Sequence, residues 1–319
     1  MVYRSILAVL AALGVVSCAA PKEEPTAEDT DAKEALIPDT EGSGPYASLI
    51  EVDPALANYV IYRPADLSKV PEGKLGVFVW GNGGCTDDGT SSRLHLSEIA
   101  SHGYLVIAPG KWRNGPNAKE APLERRDPSP DGMFPPPPTS AEDLTKAIDW
   151  ALAEAGREGS QYASRIDQKA VAVGGFSCGG VQALQVAGDP RIGTVVVQNS
   201  GILPEEDQRI PGMSLQKSAL EKLHTPVIYI QGDKTDIAYE NGLDDYGRIN
   251  HVPAAFVSVK GKDHEGTYFE PNGGKAAKVA VDWLNWQLRG DTEAAKTFLG
   301  DACGLCGDPE VEFDRKNLR

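Results

Sequence analysis

Ala170-Val171-Ala172-Val173-Gly174-Gly175-Phe176-Ser177-Cys178-Gly179-Gly180 decides the fold of this chain. The apolar run at 170–173 reads as a strand, and residues 180–186 read as a helix, with a serine between two glycines at the join. A strand that turns this sharply into a helix presents the serine hydroxyl at the end of the sheet, over a helix N-terminus that favours negative charge. The turn is so tight that a side chain two positions before or after the serine would strike backbone, and Gly175 and Gly179 meet that demand. Ser177 is therefore a candidate nucleophile. G-x-S-x-G also occurs in ordinary glycine-rich turns, so its surroundings have to decide.

Outward from this turn, short apolar runs alternate with amphipathic helical patterns. Strands are predicted at 59–62, 75–80, 104–108, 193–198 and 226–231, with the last at 254–259. A helix over 91–102 stops at Gly103, and another opens at Ser140-Ala141-Glu142-Asp143 with Ser140 or Thr139 as N-cap and Leu144, Ile148 and Leu152 on its buried stripe. A further helix carries Leu215, Leu220 and Leu223, and the last strong one covers 274–288 with Val279, Trp283 and Trp286 on its apolar side. Such alternation indicates an α/β fold with a mostly parallel central sheet and helices on both faces. The irregular stretch 109–138 ends in four consecutive prolines, and a loop this long inside a domain is usually functional. No internal repeat is visible, and one domain is expected from 46 to 319.

Composition excludes some partners. The 319 residues are 41% hydrophobic, ample for a core, and the formal charge of -15 argues against nucleic acid, whose phosphates require clustered Lys and Arg. Residues 1–17 have the form of a signal peptide: Arg4 is followed by an apolar run at 6–16 too short to span a bilayer comfortably. Its end, Val15-Val16-Ser17-Cys18, resembles the lipobox of bacterial lipoproteins, which implies a lipid anchor on Cys18. The other reading is a secretory signal cleaved after Ala19 or Ala20. Residues 18–45, rich in Glu, Asp, Pro and Thr, read as a solvated acidic tether. The expected location is the cell envelope, lipid-anchored, or otherwise outside the cell.

Beyond Cys18 four cysteines remain, Cys85, Cys178, Cys303 and Cys306, an even number in a chain expected to be exported. Cys303-Gly304-Leu305-Cys306 lies beyond the last predicted helix rather than at the start of one, so a small structural disulfide fits better than a redox motif. A zinc site would need a second ligand pair.

Two later segments complete the set. Gly232-Asp233-Lys234-Thr235-Asp236-Ile237-Ala238 follows the strand at 226–231, and Lys260-Gly261-Lys262-Asp263-His264-Glu265-Gly266 follows the strand at 254–259. With the serine turn ahead of them, the chain resembles secreted serine hydrolases of the α/β-hydrolase fold, similar to bacterial cutinase, chlorophyllase and polyester-depolymerase-like members. In that family the chain order is Ser, Asp, His. The resemblance implies Ser177 as nucleophile, His264 as base and Asp236 as acid, with Asp233 the second candidate or a turn-capping residue. His95, His102, His224 and His251 sit in contexts that suit structural or solvated roles.

The resemblance also implies an oxyanion hole made by the Cys178 N–H and a donor from the loop Trp80-Gly81-Asn82-Gly83-Gly84-Cys85, either Gly84 or Cys85. Asn82 stands where the family often has histidine. This glycine run lacks the lysine and spacing of a phosphate loop. If both loops flank one oxyanion, Cys85 and Cys178 come close enough to pair, although two separate buried thiols are also consistent. Ester hydrolysis is the expected activity, with amide hydrolysis or a catalytically silent binding role as alternatives. Trp80, Trp112, Phe134 and Tyr239 are expected near the mouth of the site, either as an acyl or aryl pocket or as wall and core. No metal or organic cofactor is implied.

Overall fold

Nine strands form one sheet: β1 (Ser48–Glu51), β2 (Tyr59–Pro64), β3 (Leu75–Gly81), β4 (Tyr104–Pro109), β5 (Ile166–Phe176), β6 (Thr194–Gln198), β7 (Val227–Gln231), β8 (Ala254–Val259) and β9 (Val311–Lys316). The computed structural model describes residues 37–123, 135–205, 208 and 211–319. The signal peptide expected at 1–17, Cys18, most of the expected tether and Phe134 lie outside the described residues.

The strands lie in the order β1-β2-β4-β3-β5-β6-β7-β8-β9, parallel from β4 through β8 and antiparallel at β1, β2 and β9. The helices are α1 (Arg93–Ser101), α2 (Ala141–Gly156), α3 (Cys178–Val186), α4 (Tyr239–Arg248), α5 (Gly274–Arg289) and α6 (Thr292–Ala295). From β3 the chain steps one way to β4, then passes back over β3 to β5. Right-handed crossovers in opposite directions place their helices on opposite faces. Accordingly Leu96 and Ile99 of α1 join Val279 and Trp283 of α5 on one face, while Leu144 of α2, Leu184 of α3 and Tyr246 of α4 fill the other. The period-two geometry of β3 feeds both cores, with Phe78 and Trp80 on the α1 side and Val77 and Val79 on the α2 side. Because the direction of winding reverses between β3 and β5, a crevice opens at the carboxyl ends of those two strands.

Several elements differ from expectation. The strand at 254–259 is not the last: β9 returns antiparallel beside it, with Val259 opposite Val311. The segment around Leu220 is a 3-10 helix, Lys217–Lys222, and α4 and β1 form where neither was expected. Residues 37–45, the end of the segment expected as a solvated tether, pack against α1. Arg93, buried on α1, donates through Nε to Asp39 at 2.7 Å and through a terminal nitrogen to the Ile37 carbonyl, and Glu98 accepts the Ser43 N–H at 2.7 Å. A buried guanidinium needs a carboxylate, and Asp39 supplies it from what reads in sequence as solvated chain.

Candidate active site

The serine turn occupies the β5 side of this crevice. Ser177 has φ 52° and ψ -120°, a conformation L-residues adopt only under constraint, and it sits between the end of β5 and the first residue of α3. The constraint is steric. A Cβ on Gly175 would lie 2.3 Å from the Gly179 carbonyl, and one on Gly179 would lie 2.0 Å from the Gly81 carbonyl. Two further glycines share the task. A Cβ on Gly81 would meet Gly179 at 2.6 Å, and one on Gly180 would meet the Ser200 side chain at 2.5 Å. The elbow is thus built against the end of β3, a contact that the local G-x-S-x-G pattern does not contain.

The loops after β7 and β8 bring Asp236 and His264 to the same place. His264 Nε2 lies 2.9 Å from Ser177 Oγ, and His264 Nδ1 lies 2.7 Å from Asp236 Oδ1. With an acceptor carboxylate on Nδ1, that nitrogen carries the proton and the Nε2 lone pair faces the serine hydroxyl. Asp236 is almost fully buried and also accepts the Ala238 N–H at 2.9 Å and, on Oδ2, the Gly232 N–H at 3.1 Å and Asn199 Nδ2 at 2.9 Å. Burial pushes its carboxyl up, but the hydrogen bonds from His264 and from these amides outweigh burial, and the net shift is downward. Asp233 does not reach the imidazole: its carboxylate accepts from Thr235 N, Thr235 Oγ1 and Gly261 N, closing a turn.

The other histidines lie elsewhere. His102 bonds Glu98, His251 bonds the Leu223 carbonyl, and His224 is exposed. His95 is fully buried on α1 against the Trp80 ring, 5.2 Å between centroids, and burial pushes its imidazole down to about 3. It is neutral and structural.

Two backbone amides near Ser177 have no acceptor among the described residues. The Cys178 N–H heads α3, so the helix offers it no partner. Across from it, the Gly83–Cys85 turn carries the Gly84 N–H, which donates to no described group. Of the two residues expected to supply this donor, Cys85 is already committed: its N–H donates to the Asn82 carbonyl at 3.1 Å and the residue is fully buried. Asn82 ties the turn down through Nδ2, donating to Pro109 O at 2.6 Å and Thr86 O at 3.0 Å.

Both disulfides are present, Cys85–Cys178 with Cα atoms 5.3 Å apart and Cys303–Cys306 with Cα atoms 5.0 Å apart. The first joins the β3 turn directly to the residue that follows Ser177.

A cleft of about 610 Å³ opens over Ser177 and His264, and Gly83 and Gly84 form part of its wall. Phe176, Leu123 and Phe269 give it an apolar side; Ser91, Ser92 and Asn114 add polar groups to its lining. The Phe176 ring also packs on His264 at 5.1 Å and on Tyr268 at 4.7 Å. Of the aromatics expected as pocket or as wall and core, Trp80, Trp112 and Tyr239 take the second role, as buried core residues. A large apolar side chain directly before the serine, at a position the tight turn turns outward, was the signal for Phe176. Comparison with protein-family models and with curated proteins finds no match for the chain.

Proposed function

We propose that the chain is a serine hydrolase of the α/β-hydrolase fold that cleaves carboxylic esters through an acyl-enzyme. The observation that carries this reading is the hydrogen-bonded chain from Ser177 through His264 to Asp236, set on a glycine-bound strand-to-helix turn. The fold assignment is supported by the order Ser, Asp, His along the sequence and by the turn after β3 lying opposite the nucleophile.

In the proposed mechanism His264 Nε2 takes the Ser177 proton as Oγ attacks the ester carbonyl carbon. The oxyanion is received by the N–H groups of Cys178 and Gly84. Collapse breaks the bond to the alcohol oxygen, which leaves with the proton held on His264 Nε2. Water, deprotonated by His264, then attacks the acyl carbon and releases the acid and free Ser177. Asp236 keeps the Nδ1–H tautomer in place and stabilises imidazolium. The apolar side of the cleft favours an aliphatic or aryl group on the substrate. Two disulfides suit an oxidising compartment, in line with export and with the lipid anchor proposed at Cys18.

The test is labelling with a fluorophosphonate followed by peptide mapping, together with hydrolysis of p-nitrophenyl acyl esters of increasing length and of aminoacyl anilides. Labelling of Ser177 alone and ester turnover abolished in Ser177→Ala are expected. Faster anilide than ester cleavage would move the activity to amide bonds. Absence of labelling and of turnover would leave a binding protein.

A further inference from the structure

Asp236 gives one carboxylate oxygen to His264, and something must hold the other. Oδ2 accepts the Asn199 Nδ2 amide at 2.9 Å, in addition to the Gly232 N–H. Asn199 follows directly on β6, is buried, and has φ 42°. The same Nδ2 lies 3.2 Å from the carbonyl of Asp263, the residue before His264. One amide group therefore bridges the acid and the loop that carries the base.

The orientation of that amide is itself determined. Asn199 Oδ1 faces the Tyr268 hydroxyl at 3.2 Å, whose proton is shared with Gln198 Oε1 at 2.9 Å. With Oε1 so engaged, Gln198 turns Nε2 toward His95 Nε2 at 3.1 Å. Flipping the Asn199 amide would set its oxygen against two acceptors, the Asp236 carboxylate and the Asp263 carbonyl, and would leave the buried Asp236 Oδ2 without this donor. Gly266 leaves the room this needs, since a Cβ there would lie 2.9 Å from Asn199 Oδ1.

We propose that Asn199 is a positioning residue of this site, holding the Asp236 carboxylate so that Oδ1 points at His264 Nδ1 and tethering the His264 loop at Asp263. The proposal rests on the serine-hydrolase reading. The two acceptors on Nδ2, Asp236 Oδ2 and the Asp263 carbonyl, fix which way the Asn199 amide faces, and the Tyr268 hydroxyl hydrogen-bonds its other end. The effect of Asn199 on rate passes through Asp236 and not through substrate contacts.

The test compares wild type, Asn199→Gly, Asp236→Ala and the double variant by fluorophosphonate labelling rate and by kcat and KM toward p-nitrophenyl butyrate. Glycine keeps the positive φ available while removing the amide. Asn199→Gly should lower kcat and the labelling rate about 10- to 100-fold with KM changed less than about threefold. In the Asp236→Ala background the same substitution should cost less than about threefold. If the glycine variant does not fold, Asn199→Asp keeps the side-chain shape and tolerates positive φ while replacing the donor with an acceptor, and the same loss of kcat is expected. Unchanged kcat and labelling, or a loss equally large with and without Asp236, would overturn the assignment of Asn199 alone. A wild-type chain that takes up no fluorophosphonate would overturn the hydrolase reading and this role with it.

Discussion

Gly179→Ala adds one methyl group where the elbow meets the end of β3, and the structure sets the size of its effect. The new Cβ would lie 2.0 Å from the carbonyl carbon and oxygen of Gly81 and 2.6 Å from the Asn82 nitrogen. All three atoms are backbone, so no rotamer change can relieve the contact, and the start of α3 has to part from β3 by more than about 1 Å to restore van der Waals separation. The Cys178 and Gly84 amides, the proposed oxyanion donors, ride on those two segments and would be pulled apart. A misplacement of about 1 Å in such a site costs about 10²-fold in rate, or about 2.7 kcal/mol in the barrier. Overpacking adds a stability loss of about 1–3 kcal/mol. The assay is kcat and KM toward p-nitrophenyl butyrate alongside thermal unfolding, with Gly156→Ala as control because a Cβ there meets nothing within 4 Å. The loss should fall on kcat, since the apolar wall of the cleft is made by other residues. A Gly179→Ala enzyme with kcat/KM within twofold of wild type would refute the claim that this contact aligns the donors.

Asp236→Asn should lower kcat by several orders of magnitude by favouring the wrong imidazole tautomer, whereas Asp233→Asn, altering only a surface turn, should stay within about tenfold of wild type; the reverse ranking would move the acid to Asp233. Burial holds the folded-state His95 at about 3 against an ordinary 6.5, so the stability that neutral His95 contributes is complete above pH 6.5 and is lost as pH falls toward 3. Melting temperature measured from pH 7 to pH 4 should therefore fall less steeply in His95→Gln than in wild type, and parallel curves would contradict a buried neutral imidazole. Chain-entropy arguments assign about 4.7 kcal/mol to the Cys85–Cys178 bridge, whose cysteines are 93 residues apart, and under about 2 kcal/mol to Cys303–Cys306, only 3 apart. Replacing the first pair by alanine should lower both the urea midpoint and kcat, and replacing the second should leave kcat unchanged. Equal effects of the two on kcat would argue against any bracing of the oxyanion donors.

What could be read from the amino acids alone follows how local each cause is. The Ser177 turn is legible because its steric demand falls on residues two positions away. The parallel sheet is legible because its strands are continuous apolar runs. Asp233 and Asp236 could only be ranked, since both sit in turn-forming sequence and the choice depends on which carboxylate points inward, a property of the loop packed against β8. The α4 helix escaped notice because Gly242, Gly247, Asn241 and two aspartates are poor helix formers. Tertiary packing overrides that propensity by burying Tyr239 and Tyr246, and it needs Gly242, where a Cβ would lie 2.1 Å from Gln231. In β9, Val311 and Phe313 alternate with Glu312 and Asp314, the charged dress of an edge strand, which reads as surface until β8 is seen beside it. Asn199 carried no signal at all: an Asn-Ser pair after a strand looks like any turn, and its side-chain partners Asp236, Asp263 and Tyr268 come from the β7–α4 and β8–α5 segments far away in sequence.

The Cys85–Cys178 bond has a bearing on how the molecule withstands cutting. It closes a covalent ring that contains α1, β4, α2 and β5, with both proposed oxyanion donors at its clasp. A protease that severs one peptide bond anywhere between the two cysteines produces two fragments that remain joined beside the nucleophile, and the interleaved strand order holds them in register: β4 and β5, on opposite sides of β3, still pair with it. Such a nicked molecule would run as one chain without reductant and as two with it. For the exported hydrolase we propose, that arrangement would turn a break in the backbone from an end of activity into a tolerated scar.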